Sequence, residues 1–90
     1  MINSEKKCFL CGSVHALERH HCLHGSRRKK ADEDGLTVYL CHRCHMRLHD
    51  LGEDDRTLQQ VAERYWIREN NSDVAGFIKR YGKNYLEVKK

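Results

Sequence analysis

Residues 41–49 read Cys41-His42-Arg43-Cys44-His45-Met46-Arg47-Leu48-His49, a C-x2-C pair that runs into two histidines four residues apart. Cysteine thiolates three apart can wrap one tetrahedral zinc. Imidazoles at i and i+4 of a helix leave from the same face and can hold a second ion together. The groups that would complete each centre lie upstream, in a second C-x2-C at Cys8 and Cys11 and in the adjacent pair His20-His21. The remaining sequence has to bring these three pieces together.

Ninety residues make one domain, spanning 1–90, and a core of that size is marginal without a staple such as a metal. The chain has no proline, one third of its residues are charged, and its hydrophobic share of 39% is that of a folded, largely helical protein. The opening Met-Ile-Asn-Ser-Glu-Lys-Lys has no apolar centre for a signal peptide, and no run approaches the roughly 20 apolar residues of a membrane span. No membrane partner and a cytoplasmic setting are therefore expected. In a reducing compartment, five cysteines arranged as two C-x2-C pairs and a single Cys22 favour metal ligation over disulfides, with Cys22 a small buried apolar residue.

Cys8-Phe9-Leu10-Cys11-Gly12 has the form of a zinc knuckle, whose glycine lets the chain reverse after the second ligand. Ala16 to Leu23 and Leu36 to Cys41 are expected to be strands, the second with Leu36, Val38 and Leu40 on one face and Thr37, Tyr39 and Cys41 on the other. Between them, His24-Gly25-Ser26, the basic run Arg27, Arg28, Lys29 and Lys30, and the acidic Asp32, Glu33 and Asp34 are expected to form a long polar loop. A short helix follows from Cys44 to Asp50 and stops at Gly52. Leu58, Val61, Ala62, Tyr65 and Trp66 mark a further helix from about Asp55 to Asn70, with Thr57 and Gln60 as a capping box. A last helix carries Val74, Phe77, Ile78 and Tyr81, with Ser72 as its cap and Gly82 as its stop, before a basic tail in which Tyr85, Leu86 and Val88 dock. The fold class is α+β.

Cys8, Cys11, Cys41 and Cys44 are expected to hold a structural zinc, with a hairpin inserted between the pairs where a zinc ribbon has roughly 15 to 20 residues. Seven histidines are many for this length, and His45 and His49 share a helix face with one further imidazole available across the hairpin. Three neutral nitrogens with an open position make a catalytic metal site, able to stabilise a phosphodiester transition state while a neighbouring histidine activates water. One of His20 and His21 is then a ligand and the other the base. His15, His24 and His42 are expected at the surface, and Trp66 in the core.

Glu18-Arg19-His20-His21, followed by Gly35-Leu-Thr-Val-Tyr-Leu-Cys-His-Arg-Cys-His-Met-Arg-Leu-His49 and preceded by Cys8-x2-Cys11, resembles the HNH endonucleases, particularly the small phage-encoded ones. The His-x3-His ending is also similar to the metal helix of the nuclease colicins. The resemblance covers roughly Cys8 to Asp50. It implies a zinc-stapled ββα-metal, treble-clef-like unit over residues 8–50, followed by two C-terminal helices within 55–90, and metal-dependent hydrolysis of DNA with little sequence specificity of its own. By position it makes His20, His45 and His49 ligands of a divalent ion (Mg, Mn, Ni or Zn) and His21 the general base. Where the family has its central asparagine, about nine residues before the first helix histidine, this chain has Leu36, with Asp34 nearby.

The partner so implied is DNA, within a larger phage or host DNA-processing complex. Arg27, Arg28, Lys29, Lys30 and, on the metal helix, Arg47 are the candidate phosphate contacts, in a chain of net charge +4. A different class of function uses only the cysteines: a non-catalytic four-cysteine zinc finger that binds nucleic acid or a protein. The histidine register separates the two, because a structural finger has no need of His45 and His49 opposite His20 and His21.

Overall fold

The computed structural model describes residues 1–3, 5–52 and 54–86. Two antiparallel strands, β1 (Leu17–His21) and β2 (Thr37–Cys41), pair from Leu17↔Cys41 through His20↔Val38 to His21↔Thr37. Around this hairpin lie helices α1 (Arg28–Glu33), α2 (His42–Leu51), α3 (Asp55–Glu69) and α4 (Val74–Tyr81). The architecture is a small α+β fold. No helix among the described residues is long and apolar enough to cross a membrane.

Strand β2 is central because both of its edges are used. One edge pairs with β1; on the other, Ile2 N–H donates to Thr37 O (2.8 Å) and Phe9 N–H to Tyr39 O (2.8 Å). The bond from Phe9 stitches the first cysteine knuckle to the strand that ends in Cys41. Within the knuckle, Gly12 N–H donates to Cys8 O (2.9 Å) with Gly12 at φ 79°, a left-handed conformation that a Cβ would strain. Burial on β2 is two-sided. Leu36, Val38 and Leu40 are fully enclosed as the alternation predicts, but Thr37 and Cys41 on the opposite face are buried as well.

One core unites the chain: Leu23, Leu36, Val38 and Leu40 join Leu48 of α2, Leu58, Ala62 and Trp66 of α3, and Phe77 and Tyr81 of α4. Trp66 meets Phe77 and Tyr81 edge-on at ring separations of 5.6 and 6.4 Å, so its indole is a core anchor, as expected. Beyond α4, Tyr85 is buried and its N–H donates to Glu63 Oε1 (2.6 Å), which docks the tail; Val88 lies outside the described residues.

Several local expectations are corrected. The strand expected from Ala16 starts one residue later, since Ala16 has φ 50°, and it ends at His21 rather than Leu23. The loop between the strands is not irregular: it contains a 3-10 turn at Gly25–Arg27 and then α1, which buries Ala31. Helix α2 begins at His42 rather than Cys44, because the Cys41 side chain accepts from Cys44 N–H as an N-cap. Helix α3 starts after Asp54 without the Thr57–Gln60 capping box, and α4 is capped by Asp73, whose carboxylate accepts from Gly76 N–H (2.8 Å), rather than by Ser72.

Candidate metal centres

The two C-x2-C pairs converge. The Sγ atoms of Cys8, Cys11, Cys41 and Cys44 all lie within 4.8 Å of one another, and those of Cys11 and Cys41 are 3.6 Å apart. Thiolates around a tetrahedral zinc at about 2.3 Å stand roughly 3.8 Å from each other, so the set fits such an ion. Burial would raise the Cys8 thiol, but hydrogen bonds at the backbone of Cys41, Cys11 and Leu10 hold it down at about 6, whereas burial and the neighbouring sulfurs push Cys44 far upward. One thiolate forms readily and its charge opposes the others. A cation is what lets all four ionise together. Cys22 stays apart, fully buried with its thiol pushed up to about 12 by burial, as expected of an apolar filler.

A second centre opens at the other end of β1. Arg19, His20, His21, His24, Gly25, Arg28, His45 and His49 line a cavity of about 400 Å³. The hairpin therefore brings the His20-His21 pair to the His45-His49 pair. Helical spacing sets the Nε2 atoms of His45 and His49 3.1 Å apart, and the His20 ring centre lies 5.3 Å from that of His45. His20 is buried, and its Nε2 has no hydrogen-bond partner. Burial first, then the charges of His45 and His24, lower its pKa to about 4, which keeps the imidazole neutral and available as a ligand at neutral pH.

Carboxylates hold the other rings. Glu18, from β1, accepts from His45 Nδ1 (2.6 Å) and from the exposed His42 Nδ1 (3.1 Å), and these bonds lower its own pKa. The His45 tautomer is thereby fixed with Nε2 unprotonated, the arrangement that orients metal-binding histidines. Asp32, from α1, sits 3.2 Å from His21 Nε2 and also pairs with Arg19. Asp55, from the start of α3, is 2.8 Å from His24 Nε2. His24 is exposed, as expected, and it also lines the cavity, with its ring 5.6 Å from that of His20.

No family model, curated protein or solved structure matches this chain.

The sequence-predicted basic residues divide. Arg28 and Lys29 line a shallow depression, shared with Arg19, His21 and Asp32, that continues the histidine cavity. Arg27 Nε instead donates to Tyr81 O (2.8 Å) and Lys30 Nζ to Arg80 O (2.9 Å), where they bind the last carbonyls of α4. Arg47 lines a different depression beside Cys11 and Cys44. Leu36 is fully buried in the core, and Asp34 does not line the histidine cavity. Burial would raise the Asp34 carboxyl, but bonds from Arg80 (2.6 and 3.0 Å) and from the Tyr81 hydroxyl outweigh that and lower it. Those bonds tie Asp34 to α4.

In the sequence Glu18 belongs to the quoted Glu18-Arg19-His20-His21 stretch and Asp32 to the acidic run, but nothing there ties them or Asp55 to a histidine. Glu18 and Asp32 each stand within reach of a histidine only once the hairpin and α1 are formed.

Proposed function

We propose that this chain is a metal-dependent endonuclease of the HNH kind, built on a ββα-metal, treble-clef-like unit whose Cys8, Cys11, Cys41 and Cys44 hold a structural zinc. The observation that carries the proposal is the buried, neutral, partnerless His20 beside the paired Nε2 atoms of His45 and His49 in a cavity edged by Arg19 and Arg28. A structural finger needs no such cavity. His20, His45 and His49 offer imidazole nitrogens to a divalent ion, which when bound supplies positive charge to the phosphoryl and leaving oxygens.

His21 is the base. With Nε2 turned to the Asp32 carboxylate, its proton sits there, leaving Nδ1 to accept the proton of the attacking water. Asp32 fixes the ring and favours the imidazolium that forms. Arg19, Arg28 and Lys29 offer charge to the phosphate backbone, contacts that give affinity without base recognition. The test is nicking of supercoiled plasmid by zinc-loaded protein with Mg, Mn, Ni or Zn added in turn. Nicking with at least one metal, abolished by chelation, is expected. Intact plasmid under every condition would leave a DNA-binding zinc module in its place.

A further inference from the structure

His20 has two ring neighbours. Its ring lies 5.3 Å from that of His45 and 5.6 Å from that of His24, which in turn contacts Asp55. Ligand atoms of His20, His24 and Asp55 all lie within 4.8 Å of one another, and apart from the four cysteines they are the only such metal-capable group among the described residues.

The geometry points to a divalent-cation site made by His20, His24 and Asp55, in which the C-terminal helices supply a ligand through the first turn of α3. His24 and Asp55 satisfy each other at 2.8 Å, a separation also close to the roughly 3 Å between adjacent donors on one ion with bonds of about 2.1 Å. That pairing leaves the buried Nε2 of His20 without a partner. A cation bound to two imidazoles and a carboxylate satisfies all three groups at once. Two nitrogens, one carboxylate oxygen and free positions toward the cavity suit first-row ions such as Mn, Co, Ni or Zn. No such metal-capable group among the described residues includes His45 or His49, so the ion is placed on the His24 side of His20. The site deepens the proposed hydrolytic pocket by naming ligands there, but it stands on coordination alone and holds whether or not DNA is cut.

The test is a Co2+ titration of DNA-free protein whose cysteine cluster is already zinc-loaded, followed by visible absorption and calorimetry. One added Co2+ per chain is expected, with weak d–d bands and no thiolate charge-transfer band. Asp55→Asn and His24→Ala should each weaken binding by at least about tenfold, Asp55→Glu should restore part of it, and His15→Ala, at an exposed position away from the cavity, should leave affinity within about twofold. Circular dichroism confirms that each variant is folded, and His24→Ala, at an exposed position, guards against a folding defect in the Asp55 variants. Wild-type affinity in both Asp55→Asn and His24→Ala overturns the site, as does the absence of any added ion. Equal weakening by His15→Ala also overturns it, by showing that the loss is not specific to these ligands. Loss of plasmid nicking alone, with Co2+ binding intact, counts against the nuclease and not against the site.

Discussion

The cysteine cluster and the histidine cavity lie on the same hairpin and the same helix, yet they are built on opposite plans. Four sulfurs gather within 4.8 Å of one another, one ligand type around one point. Around the cavity three imidazoles are each tied to an acid, His45 to Glu18, His21 to Asp32 and His24 to Asp55, while the buried Nε2 of His20 has no bond. The first plan brings four like donors to one point, as a closed tetrahedral shell around a single ion requires. The second keeps an open space of about 400 Å³ and fixes ring orientations from behind, which is what a reacting ligand requires.

The contrast breaks most visibly at the cysteines. Cys44→Ser should leave the chain unfolded, because a structural zinc in a small domain contributes on the order of 10 kcal/mol, as much as the whole domain's stability. Circular dichroism and zinc content measure it; a folded variant with unchanged zinc would refute the closed-shell assignment. His21→Ala, on the open side, should instead fold normally and keep its divalent ion while losing roughly 100-fold or more in cleavage rate. Wild-type nicking by that variant would end the general-base role.

A milder change sharpens the comparison. Glu18→Gln should raise the metal concentration needed for half-maximal nicking by about tenfold through loss of the His45 constraint, with the cysteine zinc unaffected. An unchanged metal requirement would make Glu18 merely a surface partner of His42 and His45. The smallest effect concerns the basic run. Neutralising Arg28 and Lys29 together should flatten the slope of log K against log salt for DNA by roughly two, about 0.9 for each lost phosphate contact. Neutralising Arg27 and Lys30 should lower the melting temperature and leave that slope alone, since these side chains hold α4. A slope change from the second pair and none from the first would reverse the division.

The cluster was legible because its chemistry is written as spacing: Cys8-x2-Cys11 and Cys41-x2-Cys44 each place two sulfurs at one turn, and the hydrogen bond from Phe9 to Tyr39 joins the turns. His45 and His49 were legible for the same reason, helical period. Helix α1 was not, because Arg28-Lys29-Lys30-Ala31-Asp32-Glu33 has one small buried residue and no apolar stripe. Its six residues are held by Ala31 packing and by the bonds from Arg27 and Lys30 to α4, contacts about 50 residues away that no local pattern reports. His24 and Asp55 escaped notice likewise, each unexceptional in its own segment and 31 residues from the other. At α4 the acid beside Ser72 won the cap, since Asp73 offers a charged acceptor to Gly76 N–H.

Helix α2 carries a further consequence in its polarity. It starts at the Cys41 sulfur, which accepts from Cys44 N–H at 3.5 Å, and its last turn holds His49. A helix presents partial positive charge at its start and partial negative charge at its end. Four thiolates around one divalent ion carry net negative charge, so a filled cluster would rest against the end that stabilises an anion, while a cation held among the histidines would lie toward the end that stabilises a positive charge. Under the proposed two-metal reading, this one ten-residue helix would favour an anionic cluster at its start and a cation toward its end at the same time.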